Sequence, residues 1–412
     1  MATLTERSRV TRLGPAFHRF WLSDTVSMAG TQISAVALPV VAVTQLNASA
    51  SEVGVLVAAE EGAWLLIGLL AGAWVDQWSK RRVVAWTDAG RGLLLASIPL
   101  AWWLGVLTMS QLWVVGLLVG ALTVFFTIAY QAYLPSLVPH DDLVDANARL
   151  ATSQATTSVA GPGLGGVLVQ ALTAPVAILL DTVSFMVSAL LLGSLPVEER
   201  RPEPEARQPL RKQIGEGLRY VFADPVLRAL TGTGAALNFC VAAQHTLVTV
   251  FLLRVLNVST GVLGLLLAFT GVGGVAGGLL ASRLAKRLSS GTAVRIGLVL
   301  GPVGGLCIPL AEPGWWAALF AIGAASLAGG IAIFNVITGA WRLASCPPEL
   351  LGRMVASTRT VSWGALPVGA LVGGSLGDAV GVRTALVLVA FGFVLIPCVL
   401  ATTRLWRIHE FK

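Results

Sequence analysis

Gly72-Ala-Trp-Val-Asp76-Gln-Trp-Ser-Lys80-Arg81-Arg82 is a short charged break between two apolar runs, residues 51–75 before it and 83–105 after it. Each run approaches or exceeds the roughly 20 residues that a helix needs to cross the hydrocarbon core of a bilayer. Two such runs joined by so brief a polar turn read as a pair of membrane-crossing helices. The three cations mark the side on which the turn lies, because positive charge concentrates in cytoplasmic loops.

The same pattern recurs along the whole chain. Apolar runs fall at 17–45, 51–75, 83–105, 111–134, 148–171 and 175–196, and a second set follows at 228–254, 260–282, 293–311, 315–342, 353–377 and 383–404. Only 12% of the 412 residues are charged and 55% are hydrophobic, with a mean hydropathy of +0.79. Soluble domains carry about 25% charged residues, so a water-soluble globular protein is excluded. The 45 glycines suit membrane helices, where small residues let backbones approach closely. The first run begins near Phe17 and exceeds a signal-peptide core, so it is expected to stay as the first span. Cys240, Cys307, Cys346 and Cys398 form no CxxC and read as small apolar fillers.

Alternate loops differ in positive charge. One set holds Arg7, Arg9, Arg12 and Arg19, then Lys80, Arg81 and Arg82, then Arg283, Lys286 and Arg287, then Arg404, Arg407 and Lys412; the other holds Arg254 and Arg383. Both termini are therefore expected in the cytoplasm. This placement also accounts for the net charge of +7 better than nucleic-acid binding does. Residues 196–225 form a charged, proline-bearing linker. Within it Ile214, Leu218, Val221 and Phe222 have helical spacing, which fits either an amphipathic helix at the membrane surface or a tether with a turn or two of helix.

The expectation is an all-α integral membrane protein of about twelve transmembrane helices in two six-helix bundles, residues 1–196 and 228–412, around a linker at 197–227. Two loop pairs suggest that one half repeats the other. Gly72 to Arg82 parallels Gly278-Leu-Leu-Ala-Ser282-Arg283-Leu-Ala-Lys286-Arg287, which puts Ser282 in the place of Asp76. Pro139-His-Asp-Asp-Leu143 parallels Pro347-Pro-Glu-Leu-Leu351.

The Gly-xxx-Asp-xxx-Lys-Arg-Arg loop also resembles the signature loop of the major facilitator superfamily, and Gly161-Pro162-Gly-Leu-Gly165-Gly166 resembles the GPxxGG motif of its drug-proton antiporters. With Leu38-Pro39, Ala129-Tyr130-Gln131-Ala132-Tyr133-Leu134-Pro135, Asp145-Ala-Asn147-Ala148 and Ser184-Phe185-xx-Ser188-Ala189, nearly the full length is similar to the bacterial branch related to enterobactin exporters and macrolide efflux pumps. The resemblance implies a major facilitator fold in a bacterial cytoplasmic membrane. It also implies proton-driven efflux of a small amphiphilic compound by alternating access, with no cofactor beyond the proton gradient. Gly72, Asp76, Lys80, Arg81 and Arg82 would form a gating loop, with Asp76 paired to the start of the eleventh span near Arg353. The glycine face around Pro162 would seal one side of the cavity against a second-half helix. Thr127 stands where many relatives carry an acid.

Ionisable groups within the bilayer are costly, so each needs a reason. Glu60 and Glu61 are the first candidates for proton coupling and Asp24 the second; each has a hydrogen-bonded structural role as its rival. Glu61 precedes Asp76 by fifteen residues, roughly 22 Å along a helix, which places it deep in the membrane. Asp88 and Arg91, spaced i and i+3, read as a structural pair. His245 is a further titrating or substrate-contacting candidate. Asn238, Gln244, Asn335 and Phe126 are candidates for the substrate cavity, and Trp64, Phe125 and Phe334 for its apolar walls. No HExxH or GxxxxGK[ST] occurs, which argues against a zinc hydrolase and against an ATP-driven pump. Partners are then the lipid bilayer, a small-molecule substrate and protons, with no nucleic acid and a monomeric state expected. A uniporter, an importer or a non-transporting receptor on the same fold are the alternatives.

Overall fold

The computed structural model describes residues 13–75, 77–195 and 210–402 together with Trp406 and Glu410. Before the linker run α1 (Pro15–Gln45), α2 (Ala50–Val75), α3 (Lys80–Trp103), α4 (Met109–Leu137), α5 (Leu143–Leu172) and α6 (Ala174–Gly193). The linker contributes α7 (Leu210–Ala223). After it come α8 (Pro225–Val250), α9 (Thr260–Leu288), α10 (Ser290–Gly305), α11 (Ala318–Ser345), α12 (Pro348–Trp363), α13 (Ala365–Val380) and α14 (Val382–Ala401). With α12 and α13 taken as one broken crossing and α7 set apart, the described helices make twelve crossings in two bundles of six. Seven are apolar enough to span a membrane by length and composition alone.

The eleventh span, expected to be continuous, breaks at Gly364 because Pro367 has no N–H to offer the preceding turn. The tenth-helix segment also ends earlier than its apolar run, at Gly305, and passes into turns. Helix starts follow the sequence chemistry closely. Ser49 and Glu52 form a reciprocal capping box at the start of α2, while Ser79 and Ser259 accept from backbone N–H groups at the starts of α3 and α9.

The repeat is visible in the backbone. Residues with positive φ occur in matching turns of the two halves, at Asn47 and Asn257, Gly105 and Gly314, and Thr173 and Gly381, each pair about 210 residues apart. This register corrects the loop pairing read from sequence. Ser79 before α3 corresponds to Ser289 before α10, both N-caps. Lys286 and Arg287 therefore end α9, whereas Lys80, Arg81 and Arg82 open α3, and Ser282 is not the counterpart of Asp76.

The linker segment is a fourteen-residue helix docked on protein. Val221 is fully buried against Met354 and Leu350 of α12, so at least part of its apolar side covers the second bundle instead of lying free on a membrane surface. Large apolar side chains such as Leu66, Leu100, Leu190, Phe391 and Leu395 are exposed around the bundles, the outward face expected of helices solvated by lipid. Trp86 near one end of the bundle and Trp103 and Trp315 near the other are exposed as well, as interfacial anchors are.

Candidate functional site

The two bundles meet closely at the end opposite the chain termini. Gly166 of α5 faces Gly264 of α9 so closely that a Cβ on Gly166 would lie 2.5 Å from the Thr260 carbonyl, and one on Gly264 would lie 2.3 Å from the Pro162 carbonyl. In the repeat-related crossing a Cβ on Gly54 of α2 would lie 2.6 Å from the Ala370 carbonyl and 3.2 Å from the Gly374 Cα of α13. Only glycine permits such approach. The GPxxGG segment is thus two-sided: Gly166 faces the other half, while Gly161 and Gly165 pack against Gln32 and Ile33 of α1.

Two side chains tie the same end. The Asp378 carboxylate at the end of α13 accepts the backbone N–H groups of Ala50 and Ser51 at 3.0 Å each, capping α2 across the inter-bundle boundary. In the matching place on α5, the Gln170 amide oxygen accepts the Gly261 N–H of α9 at 2.9 Å. Arg254 adds a bond to the Val43 carbonyl at the end of α1. The close inter-bundle approaches described by the structure run from this end to mid-length, where Ser158 meets Gly271 and Trp64 meets Trp363 edge-on at 4.8 Å.

Below that closure, toward the termini, α8, α11 and α12 enclose a pocket of about 110 Å³. Asn238, Asn335 and Phe334 line it together with Arg342, Thr358, Arg359 and Trp363. The Asn238 amide donates to the Ser362 carbonyl at 2.8 Å, which fixes its side chain in the wall. Asn238, Asn335 and Phe334 are therefore brought together on one pocket. His245 is exposed and continues the stripe of Gly234 and Asn238 two turns along α8. Gln244 is not on that stripe. At about 100° per residue it lies some 120° from Asn238, on the side where Cys240 meets Gly392 of α14.

The two adjacent glutamates of α2 separate cleanly. Gly54, Val57, Ala58 and Leu65 all contact the second bundle, through Ala370, Ala242, Leu366 and Gly364, and Glu61 falls within this stripe. Glu60 turns toward α4, where Gly116 and Gly120 make room for it: a Cβ on Gly120 would sit 2.2 Å from the Glu60 carbonyl. Glu61 is thus the carboxyl that faces the seam between the bundles.

A second set of charges is sealed inside the first bundle. Asp24, Asp88, Arg91 and Asp181 are all buried. Arg91 pairs with Asp88, as their spacing suggested, and Ser188 donates to the other Asp88 oxygen. The guanidinium lies between the rings of Phe126 and Phe185, 4.3 and 4.4 Å from their centroids. Phe126 accordingly belongs to this cluster and does not line the pocket between α8, α11 and α12. Ser184 donates to Asp181 at 3.0 Å, and Gly30 is the space that lets both fit. Asp24 faces the Tyr130 hydroxyl outside hydrogen-bond geometry, so its Oδ2 is buried without a partner. Three carboxyls share one guanidinium in a dry place.

Of the gating-loop residues, Asp76 lies outside the described residues. Arg81 donates to the Leu195 carbonyl past the end of α6 at 2.6 Å, a cation at a helix C-terminus. Lys80 donates to the Trp78 carbonyl, the Arg82 N–H is capped by Ser79, and Gly72 has open space where a Cβ would go. Arg353, the expected partner of Asp76, pairs with Glu216 of the linker helix α7. Phe125 stacks on Trp74 and Trp78, away from the pocket. Sequence reasoning did not single out Arg342. The signal available was an arginine on a span otherwise free of charge.

The family described as transmembrane secretion effector matches residues 13–411. The chain is 27% identical over 402 residues to the multidrug efflux pump Tap of Mycobacterium tuberculosis, covering 92% of this chain and 91% of that protein. It is 24% identical over 277 residues to the enterobactin exporter EntS of Escherichia coli, covering 67% of this chain and 65% of that protein. Among solved structures, the nucleoside transporter NupG superposes with a TM-score of 0.76 at 11% identity, covering 94% of this chain and 98% of that one.

Proposed function

The chain belongs to the transmembrane secretion effector family of major facilitator transporters, and we propose that it is a proton-coupled exporter of a small amphiphilic compound. It is an integral membrane transporter whose relatives include efflux pumps. The observation that carries the reading is the asymmetry of the seam: two glycine crossings and two side-chain caps close one end, while a polar pocket lies on the other side of that closure. With both termini in the cytoplasm of a bacterium, the closed end faces outward and the pocket opens inward, ready to load from the cytoplasm. Rocking the bundles residues 1–196 and 228–412 about the seam would break the Asp378 and Gln170 caps and release the load outside. A monomer is the working unit in this reading.

Glu61 is the coupling carboxyl in this reading. It sits on the moving seam, so its access to water changes between the two states, and a group whose surroundings change in that way can take up a proton on one side and release it on the other. Asp24, the unpartnered acid of the buried cluster, is the second candidate. The test uses purified protein in proteoliposomes containing a pH dye, with a panel of amphiphilic drugs and siderophores. Substrate-dependent proton movement is expected in wild type and in Glu60→Gln, and is expected to vanish in Glu61→Gln. Substrate crossing at equal rates with and without a pH gradient would remove the antiport reading and leave a uniporter. Vanishing in Asp24→Asn with Glu61→Gln unaffected would move the proton site into the buried cluster.

A further inference from the structure

We propose that the pocket between α8, α11 and α12 holds an anionic group of the transported molecule, clasped by Arg342 and Arg359. Both arginines line it, and neither makes an ion pair with any described residue. Arg342 bonds only within its own helix, to the carbonyl and hydroxyl of Thr338 at 3.2 and 3.1 Å. The Arg359 guanidinium lies 5.4 Å from the centroid of the Trp363 ring.

Counter-charge is scarce nearby. α8 and α11 contain no Asp or Glu, and α12 contains only Glu349, ten residues before Arg359, or roughly 15 Å along the helix. Across the seam a Cβ on Gly62, the neighbour of Glu61, would lie 4.0 Å from Pro367, about two helical turns beyond Arg359, and Glu216 is taken up by Arg353. Arg342 lies in the last turn of α11 and Arg359 eleven residues into α12, so the two cations line the pocket at the end nearer the chain termini. Two guanidinium groups on one pocket with no acid on its walls make it complementary to an anion.

The rest of the wall fits such a ligand. Arginine presents a planar fork of N–H donors that matches carboxylate, phosphate and phenolate oxygens. The Asn335 amide and the Thr358 hydroxyl supply neutral polar contacts, and Trp363 offers a flat apolar side for an aromatic body. At about 110 Å³ the pocket takes a head group and leaves the remainder of an amphiphile in the cleft between the bundles. The inference rests on the export reading only in naming the anion as part of the cargo; the binding itself requires no flux, and the two are tested separately.

Fluorescence polarisation would measure equilibrium binding of three probes that share one fluorophore to the protein in phosphatidylcholine nanodiscs: dansylglycine, an anion; dansylamide, neutral; and dansylcadaverine, a cation. Wild type is expected to bind dansylglycine about tenfold or more tightly than dansylamide, the scale of one charge-assisted contact. Arg342→Gln and Arg359→Gln should each reduce that preference, and the double variant should abolish it. Arg342→Lys and Arg359→Lys should keep part of it, and thermal melting checks that each variant is folded. Dansylglycine binding no tighter than dansylamide in wild type, or a preference that survives in the folded double variant, overturns the proposal. A preference lost when phosphatidylglycerol is added to the nanodiscs assigns the pocket to a lipid phosphate and overturns the cargo assignment. A preference that persists while proteoliposomes show no flux leaves this pocket standing and removes the export reading instead.

Discussion

The two halves repeat one backbone and carry opposite chemistry. The first seals Asp24, Asp88 and Asp181 around the single guanidinium of Arg91, deep among α1, α3, α4 and α6. The second has no such cluster among its described residues; instead Arg342 and Arg359 line a pocket. Yet the turns at Asn47 and Asn257 and the glycine crossings at Gly54 and Gly264 correspond one for one. The contrast teaches that a duplicated scaffold keeps the features that pack helices and hold turns, while side chains facing the interior are free to diverge. One half becomes a store of internally paired charge and the other a reader of charge from outside.

The sharpest way to break that contrast is to remove Arg91, the one cation of the buried cluster in the first half. Arg91→Met should lower stability by roughly 3 to 5 kcal/mol, because it strands a buried carboxylate without its partner. Arg359→Met should cost under about 1 kcal/mol, as no partner is left behind. Thermal melting of the two variants in the same detergent compares them directly, and equal losses would mean that Arg359 is internally paired after all.

The next effect tests what the halves share. Gly54→Ala and Gly264→Ala each force a Cβ onto a facing backbone, and each should destabilise the state closed at this end by roughly 1 to 3 kcal/mol. Cysteine cross-linking across the closed end would report it as slower trapping in both variants to a similar degree. A large effect in one and none in the other would deny the symmetry of the two crossings. The smallest effect separates the two caps. Asp378→Ala should loosen the closed end by about 1 kcal/mol, since a carboxylate at a helix N-terminus gains from the helix dipole, and Gln170→Ala should do less because its oxygen is uncharged. The same cross-linking rates rank them.

Much of the architecture was legible in the residues. Twelve apolar runs, their polar breaks and the helix-capping serines come from local composition and period, and those local terms act the same way wherever the chain is placed. The pair Asp88 and Arg91 was legible for the same reason, being neighbours on one helix face. That Phe126 packs on Arg91 and that Gln244 lies off the Asn238 stripe was not legible, because both depend on which helix packs against α4 and α8. The repeat register slipped by four residues in the charged loops because Lys and Arg there follow membrane orientation, which tolerates a shift, whereas the capping serines do not.

By itself the sequence determined that this is a membrane protein of about twelve helical spans, because hydrocarbon depth and backbone hydrogen bonding leave a long apolar run no alternative to a helix; that the Gly-Pro-Gly segment meets the other half was implied only by its resemblance to a family motif. Which of Glu60 and Glu61 meets the seam, which glycine of the fifth span faces the other half, and that Arg342 and Arg359 share one acid-free pocket were decided only by tertiary structure. Those outcomes turn on the rotation of each helix about its axis, and that angle is set by the shape of neighbours tens to hundreds of residues away in the chain.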